Sequence, residues 1–263
     1  MLLSVSAPLL APVSFRAQDR GALLQSPSWT SRGRTPAGAV PHRLGTDEFG
    51  RDVWSRLLLA TGLSSLLGVA MAVPALALAL ALGLGGALAH AGAALTRGAG
   101  EVCRSLPWIF VLVAVRAALP LDASALTVAL VLIGLFAAAA WPLAAWTLES
   151  AARDLLQREF VQAASSLGAG RWHILRRHLW PNLKPLVATY FALLVAAAIG
   201  VEVSLELVGL GLPQPWPTWG NMLAPLKDYT IATRCWWLYA PLLVLVPLLV
   251  CLSLAGESRE RGL

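Results

Sequence analysis

The chain has 263 residues, 57% of them hydrophobic and only 13% charged, with a mean hydropathy of +0.69. Soluble domains carry about 25% charged residues, so a water-facing enzyme and a disordered chain are both excluded. The net charge of +6 comes from 20 basic and 14 acidic residues. The arginines lie between apolar runs rather than on one soluble face, which argues against a nucleic-acid partner.

Residues 1–15 are uncharged but hold Pro8 and Pro12 and reach only about 22 Å as a helix. They lack the basic start of a signal peptide and read as a partial or missing first span. The stretch 26–41, rich in Ser, Pro and Gly, reads as an extra-membrane loop. Crossing the hydrocarbon takes about 20 apolar helical residues. No Asp, Glu, Lys or Arg occurs in 57–96. One helix from about Thr61 to Leu88 is predicted there, bent or broken near Pro74 and fading at Gly83, Gly85 and Gly86. The second span runs from about Val102 to Leu119, with Arg116 snorkelling near its end. The third lies within the charge-free 123–148. The fourth runs from about Leu186 to Val208 and carries Glu202 and Glu206. The fifth lies within 235–256. The predicted fold is an all-α polytopic membrane bundle with five transmembrane helices and a partial or missing first one.

Positive loops mark the cytoplasmic side. The segment 149–184 holds Arg153, Arg158, Arg171, Arg176, Arg177 and Lys184; the 97–104 turn holds Arg97 and Arg104; the tail holds Arg259 and Arg261. Two spans separate each of these segments from the next, so all three share one face. Residues 16–56 break the pattern. They lie outside by parity, yet carry Arg16, Arg20, Arg32, Arg34, Arg43, Arg51 and Arg56.

The loop 149–184 is the most informative segment. Residues 150–167 read as a helix with Leu155, Leu156, Phe160, Ala163, Ala164 and Leu167 on one face. Gly168 and Gly170 are expected to take positive φ and end it. A second short helix carries Trp172, Leu175 and Leu179 among basic residues, and Pro181 stops it before the next span. Such a hairpin suits docking into a groove on another protein. Equally, it suits lying among lipid headgroups.

Other side chains admit more than one reading. Asp47, Arg51 and Asp52 can cap an interfacial turn or touch a solute. Glu202 and Glu206, four residues apart, share a helical face. They suit structural hydrogen bonding, the lining of a path, or proton coupling. Trp216, Trp219, Trp236 and Trp237 fit an interfacial aromatic belt. Cys103, Cys235 and Cys251 have no metal or redox spacing. His173 and His178 are not at metal-site spacing either and read as surface or docking residues. No G-x-x-x-x-G-K-[ST] motif occurs, so ATP is not bound by that motif. G-x-S-x-G and H-E-x-x-H are absent too; no enzyme, metal site or resident cofactor is expected.

Gln162-Ala163-Ala164, three residues, Gly168, and then Trp180-Pro181 resemble the "EAA" loop of ABC importer permeases. Gln162 stands where that family has Glu, and Trp180 where it has Leu. Leu44–Arg56, with Asp47, Gly50, Arg51 and Asp52, resembles the signature before the second helix of dipeptide/oligopeptide/nickel-type permeases. Gly209-Leu210-Gly211 with Trp219-Gly220-Asn221 resembles the same branch's external loop after the fifth helix. Glu202 falls on the family's Glu, whereas Glu206 replaces a small residue. Ala7–Pro12 resembles the end of the family's first helix, which implies a chain beginning inside or just after that span.

The resemblance implies the C-type permease subunit of a peptide- or nickel-class importer in a bacterial inner membrane. Its partners would be membrane lipid, a second permease subunit, an external solute-binding protein and two ATPase subunits, which bind the ATP and Mg. Residues 160–182 would couple to the ATPases through Gln162, Ala163, Ala164, Gly168, Ala169, Arg171, Trp172, Arg176, Arg177 and Pro181. Asp47, Arg51 and Asp52 gain the binding protein as a further possible contact. Residues 1–56 form an external segment and 57–263 the permease domain. Two other classes stay open: a stand-alone proton-coupled transporter using Glu202 and Glu206, and a membrane scaffold or receptor.

Overall fold

The computed structural model describes residues 14–15, 17–30, 42–88, 90–120 and 122–260, without the side chains of 90–93, 95 and 256–260. The expected first-span remnant at 1–15 and the loop at 26–41 fall largely outside the described residues, as do the side chains of Arg259 and Arg261. Among the described residues the architecture is all-α, with one isolated bridge between Thr46 and Asp52.

Helix α1 spans Val53–Leu88, α2 His90–Ser105, α3 Trp108–Ala118 and α4 Ala125–Leu156. Two short helices follow, α5 Glu159–Ser166 and α6 Arg171–Ile174. A π-helical turn at Leu175–Leu179 joins α6 to α7, Trp180–Leu207. Then come α8 Trp219–Leu223, α9 Tyr229–Arg234 and α10 Ala240–Glu260. Four stretches are long and apolar enough to cross a membrane: Val53–Leu88, Ala125–Leu156, Arg171–Leu207 and Trp236–Ala255.

Several expectations are corrected. Helix α1 starts at Val53 rather than Thr61, because Asp52 caps it: Ser55 N donates to Asp52 Oδ2 at 2.8 Å. It runs on through Pro74 as one helix. Membrane helices tolerate an interior proline because the freed carbonyl finds other partners. The expected second span is instead a bent pair, Thr96–Ser105 and Trp108–Ala118, meeting at 74°. Pro107 sits at the break, and a residue preceding proline is disfavoured in the α region. The helix expected over 150–167 is two pieces, since α4 ends at Leu156 and α5 begins at Glu159.

The stop expected at Pro181 is absent, and the helix continues into α7. The π turn, Leu175–Leu179, ends two residues before this proline. Its wider winding relieves the clash a proline ring makes with the carbonyl four residues earlier.

The chain forms two compact units, one of Met1–Gly68, Arg116–Leu130 and Ile199–Val250, the other of Val69–Val115, Val131–Ala198 and Cys251–Leu263. In the first, Val53, Leu57, Leu205, Leu212, Trp219 and Leu238 are buried. In the second, Trp141, Leu148, Val161, Ile174, Leu179 and Leu183 share one core. Small residues allow close backbone approach there: a Cβ on Gly83 would lie 2.6 Å from the Ala145 carbonyl oxygen.

Candidate functional site

Two clusters carry the sequence-predicted residues, one in each unit. In the first unit Asp47 organises a tight turn. Its Oδ1 accepts from the backbone N–H of Phe49 and Arg51, both at 2.9 Å. Its Oδ2 pairs with Arg51 Nε at 2.6 Å and lies 3.5 Å from Arg56 Nε. Gly50 and Gly45 take φ of +70° and +71°, which only glycine adopts at little cost. Asp52 holds Ser55 as the helix cap and meets His42 Nδ1 at 3.0 Å. Thr46 accepts from Gln25 N, donates to the Ala22 carbonyl, and receives Trp237 Nε1 on its own carbonyl at 3.0 Å. Partial desolvation, then the neighbouring Asp47, raises the Glu48 carboxyl above its ordinary range.

This turn is tied to the segment before α8. Arg51 donates to Gln214 Oε1 at 2.7 Å, and Arg56 donates to Asn221 Oδ1 at 2.7 Å. Thr218 caps α8 by accepting from Asn221 N at 3.1 Å, and Trp219 N donates to Ser64 Oγ at 3.0 Å. Asp47, Gly50, Arg51, Asp52, Trp219, Gly220 and Asn221 therefore belong to one connected structure. Trp219 is 0% exposed and Trp237 is also buried, so neither joins an interfacial belt; Trp216 and Trp236 are exposed.

Glu202 is 2% exposed and faces Thr218, Gly220 and Ser64 without closing a hydrogen bond of full geometry. Glu206 is half-buried. Glycine makes room for both. A Cβ on Gly211 would overlap Glu206 Oε2, and one on Gly220 would lie 2.9 Å from Val203 Cα. Arg116 does not snorkel. It is 8% exposed and reaches the Gly211 carbonyl at 3.5 Å.

The second cluster is the hairpin of α5 and α6. Val161, Ile174 and Leu179 anchor it in the core with Leu148 and Ala152 of α4. Gly168 takes φ of +89°, as expected, while Gly170 does not: its φ is −69° and it serves as the extended N-cap of α6. Opposite the anchors, Phe160, Leu167 and Trp172 are exposed, Leu167 by 90% and Trp172 by 71%. Gln162, Ala163, Arg171, Arg176 and Arg177 are exposed too, and Ala164 and Ala169 are half-buried. Pro181 is exposed in the first turn of α7. A cleft of about 350 Å³ lies between Trp172, His173, Arg176 and Arg177. The hairpin presents an apolar edge rimmed by cations, held from behind.

Sequence reasoning missed the support of this hairpin. Glu149, 2% exposed, accepts from Arg153 Nε at 3.0 Å and meets Arg97 at 3.5 Å. Arg153 also donates to the Gly86 carbonyl at 2.8 Å, near the end of α1. The only signal was the i, i+4 spacing of Glu149 and Arg153. Arg56, Gln214 and Arg116 were missed as site residues because their partners are distant in sequence. Among the described residues, no group of three His, Cys, Asp or Glu side chains could hold a metal ion.

Four long apolar helical stretches and a hairpin exposing apolar and cationic side chains define the class of a multi-pass membrane protein. Over residues 53–261 the sequence matches the family described as binding-protein-dependent transport system inner membrane component, and the chain belongs to that family. It is a multi-pass inner-membrane permease subunit of an ABC importer; its work is transport, not bond chemistry. A Brucella suis protein named as a peptide transport system permease is 30% identical over 90% of this chain and 75% of its own length. The Escherichia coli protein named as the D,D-dipeptide transport system permease DdpC is 30% identical over 90% of this chain and 74% of its own. A second Brucella suis protein, named as a peptide permease, is 29% identical over 88% and 71%.

Proposed function

We propose that this chain forms half of the translocation path of an importer for peptides or related small solutes, nickel chelates included. It pairs with a second permease subunit, two ATPase subunits that bind ATP and Mg, and an external solute-binding protein. Residues 1–56 serve as the external segment and 57–263 as the permease domain, with the bent α2–α3 pair counted as the fifth span. Two kinds of support bear on this reading. The relatives are named for peptide transport. The hairpin leaves Leu167 and Trp172 in the open while its other side is locked into the core. That single arrangement carries the coupling role. A partner groove would cover the apolar edge, and its carboxylates would meet Arg171, Arg176 and Arg177.

Closure of the ATPase pair on ATP pushes the hairpin, and the anchored core passes the movement to α4 and α7. Rigid-body movement between two states then gives alternating access. Glu206, half-buried with one oxygen free of a hydrogen bond among the described residues, contributes to the wall of the path, and Glu202 supports it from within. Asp47, Arg51, Asp52 and Asn221 hold the external loop in shape.

The test is reconstitution of the chain with its second permease and ATPases. Leu167→Asp and Trp172→Ala should abolish ATPase capture and uptake while leaving the permease pair assembled. Uptake by the permease alone, without ATPase, would replace this reading with a stand-alone transporter driven through Glu202 and Glu206.

A further inference from the structure

The first unit contains a cleft that neither the coupling hairpin nor the Asp47 network explains. It has a volume of about 480 Å³ and is lined by Gln25, Ser26, Thr30, Arg234, Trp236 and Trp237. Arg234 ends α9 and is exposed. Among the described residues no carboxylate lies within ion-pair distance of it. Trp29 lies beside it, edge-on to the lining Trp236 at 5.6 Å, with its Nε1 held by the Arg43 carbonyl at 3.0 Å.

The position of the cleft is telling. The membrane-crossing stretch Trp236–Ala255 begins at its rim. From there an exposed stripe runs along that stretch through Trp236, Tyr239, Leu243, Val246 and Val250, with Leu243 79% exposed. Within α10, at 100° per residue, Leu243, Val246 and Val250 fall within about 60° of one another and form one face; Trp236 and Tyr239 lie in the 3-10 turn just before it. The molecule thus presents a cation, neutral hydrogen-bonding groups and tryptophan edges at the head of a continuous apolar track.

We propose that this cleft binds an anionic phospholipid. The phosphate pairs with the Arg234 guanidinium, whose planar fork matches it. Gln25 supplies an amide to the glycerol or headgroup oxygens. Trp29 and Trp236 sit at headgroup depth, where indole rings are favoured, and an acyl chain lies on Leu243, Val246 and Val250. A zwitterionic lipid brings its own cation to Arg234 and binds less well. A soluble anion fills the head of the site and leaves the apolar track bare.

Native mass spectrometry of the full-length purified chain, titrated with phosphatidylglycerol or phosphatidylcholine, tests this. Phosphatidylglycerol should give the more persistent adduct. Arg234→Ala should weaken it about tenfold or more, the loss expected for a charge-assisted contact. Arg234→Lys should retain part of it. Leu243→Ser should weaken it with the headgroup contacts intact, and Arg20→Ala, a change at an exposed arginine outside the lining, should leave it alone. Unchanged melting temperatures would show that these variants stay folded. Equal retention of the two lipids would overturn the proposal. So would an adduct indifferent to Arg234, or glycerol phosphate competing as well as the whole lipid.

Discussion

Replacing Arg56 by methionine preserves the length and apolar stem of the side chain and removes its charge. Arg56 is buried in the first turn of α1. Its strongest contact is the 2.7 Å hydrogen bond to Asn221 Oδ1, and Asp47 lies 3.5 Å from its Nε. A hydrogen bond to a charged group contributes about 1.5–3 kcal/mol. Removing one member of a buried charged set costs about 3–5 kcal/mol, because its partners stay desolvated. Asp47 keeps Arg51 at 2.6 Å, so the lower part of that range, about 3 kcal/mol, is expected. For a chain of this size that lowers the melting temperature by about 6–12 °C. Adding Asn221→Leu should return part of the loss, since the orphaned amide is then gone as well. Arg56→Lys should fall between the two, as a point charge cannot reproduce the fork. The assay is thermal unfolding of the purified permease, paired with uptake by reconstituted vesicles. If Arg56→Met melts with the native protein, the tie between the Asp47 turn and the segment before α8 does not contribute to stability.

Gly220→Ala should cost about 1–3 kcal/mol. Its Cβ would lie 2.7 Å from Glu206 Cβ and 2.9 Å from Val203 Cα, atoms that cannot swing aside; Gly211→Ala, whose severe overlap is with the carboxyl end of Glu206 while Glu206 Cβ stays 3.1 Å away, should cost less in the same melt and recover with Glu206→Ser. Arg153→Met should destabilise by about 1–3 kcal/mol, because the Gly86 carbonyl and buried Glu149 both lose a donor. Uptake per ATP hydrolysed should fall with it, as the hairpin's support is loosened. Gly168→Val should uncouple ATP hydrolysis from uptake: positive φ costs a side-chain-bearing residue about 1–2 kcal/mol. Gly168→Asn should retain coupling; equal activity of the two would refute a role for the backbone conformation.

Some features were legible because they are properties of short stretches. A span announces itself through the absence of charge over about 20 residues, and α1, α4, α7 and α10 were found that way. Gly168 was readable because a helix break with positive φ is a local backbone requirement. The Gln162–Pro181 pattern and the Asp47 and Asn221 segments were recognisable as linear strings. Their contacts were not. Arg56 and Asn221 stand 165 residues apart, and neither residue's neighbours in the chain hint at the other. Arg116 looks like any arginine near a helix end until Gly211 is found beside it. Trp219 and Trp236 are the same residue type in similar surroundings, yet only the packing makes one a core residue and the other a surface one. The Pro107 break and the uninterrupted passage through Pro181 also followed context, since proline's missing donor can be absorbed by a π turn or by a bend. The sequence alone thus determined that this is a multi-pass membrane protein and where most of its apolar helices lie, because hydrophobic transfer and turn conformation act residue by residue, while its motifs carried the resemblance to the permeases. Which charges are buried, and against what, was decided only by the tertiary structure, because a desolvated charge is stabilised by whatever the fold brings within a few ångströms.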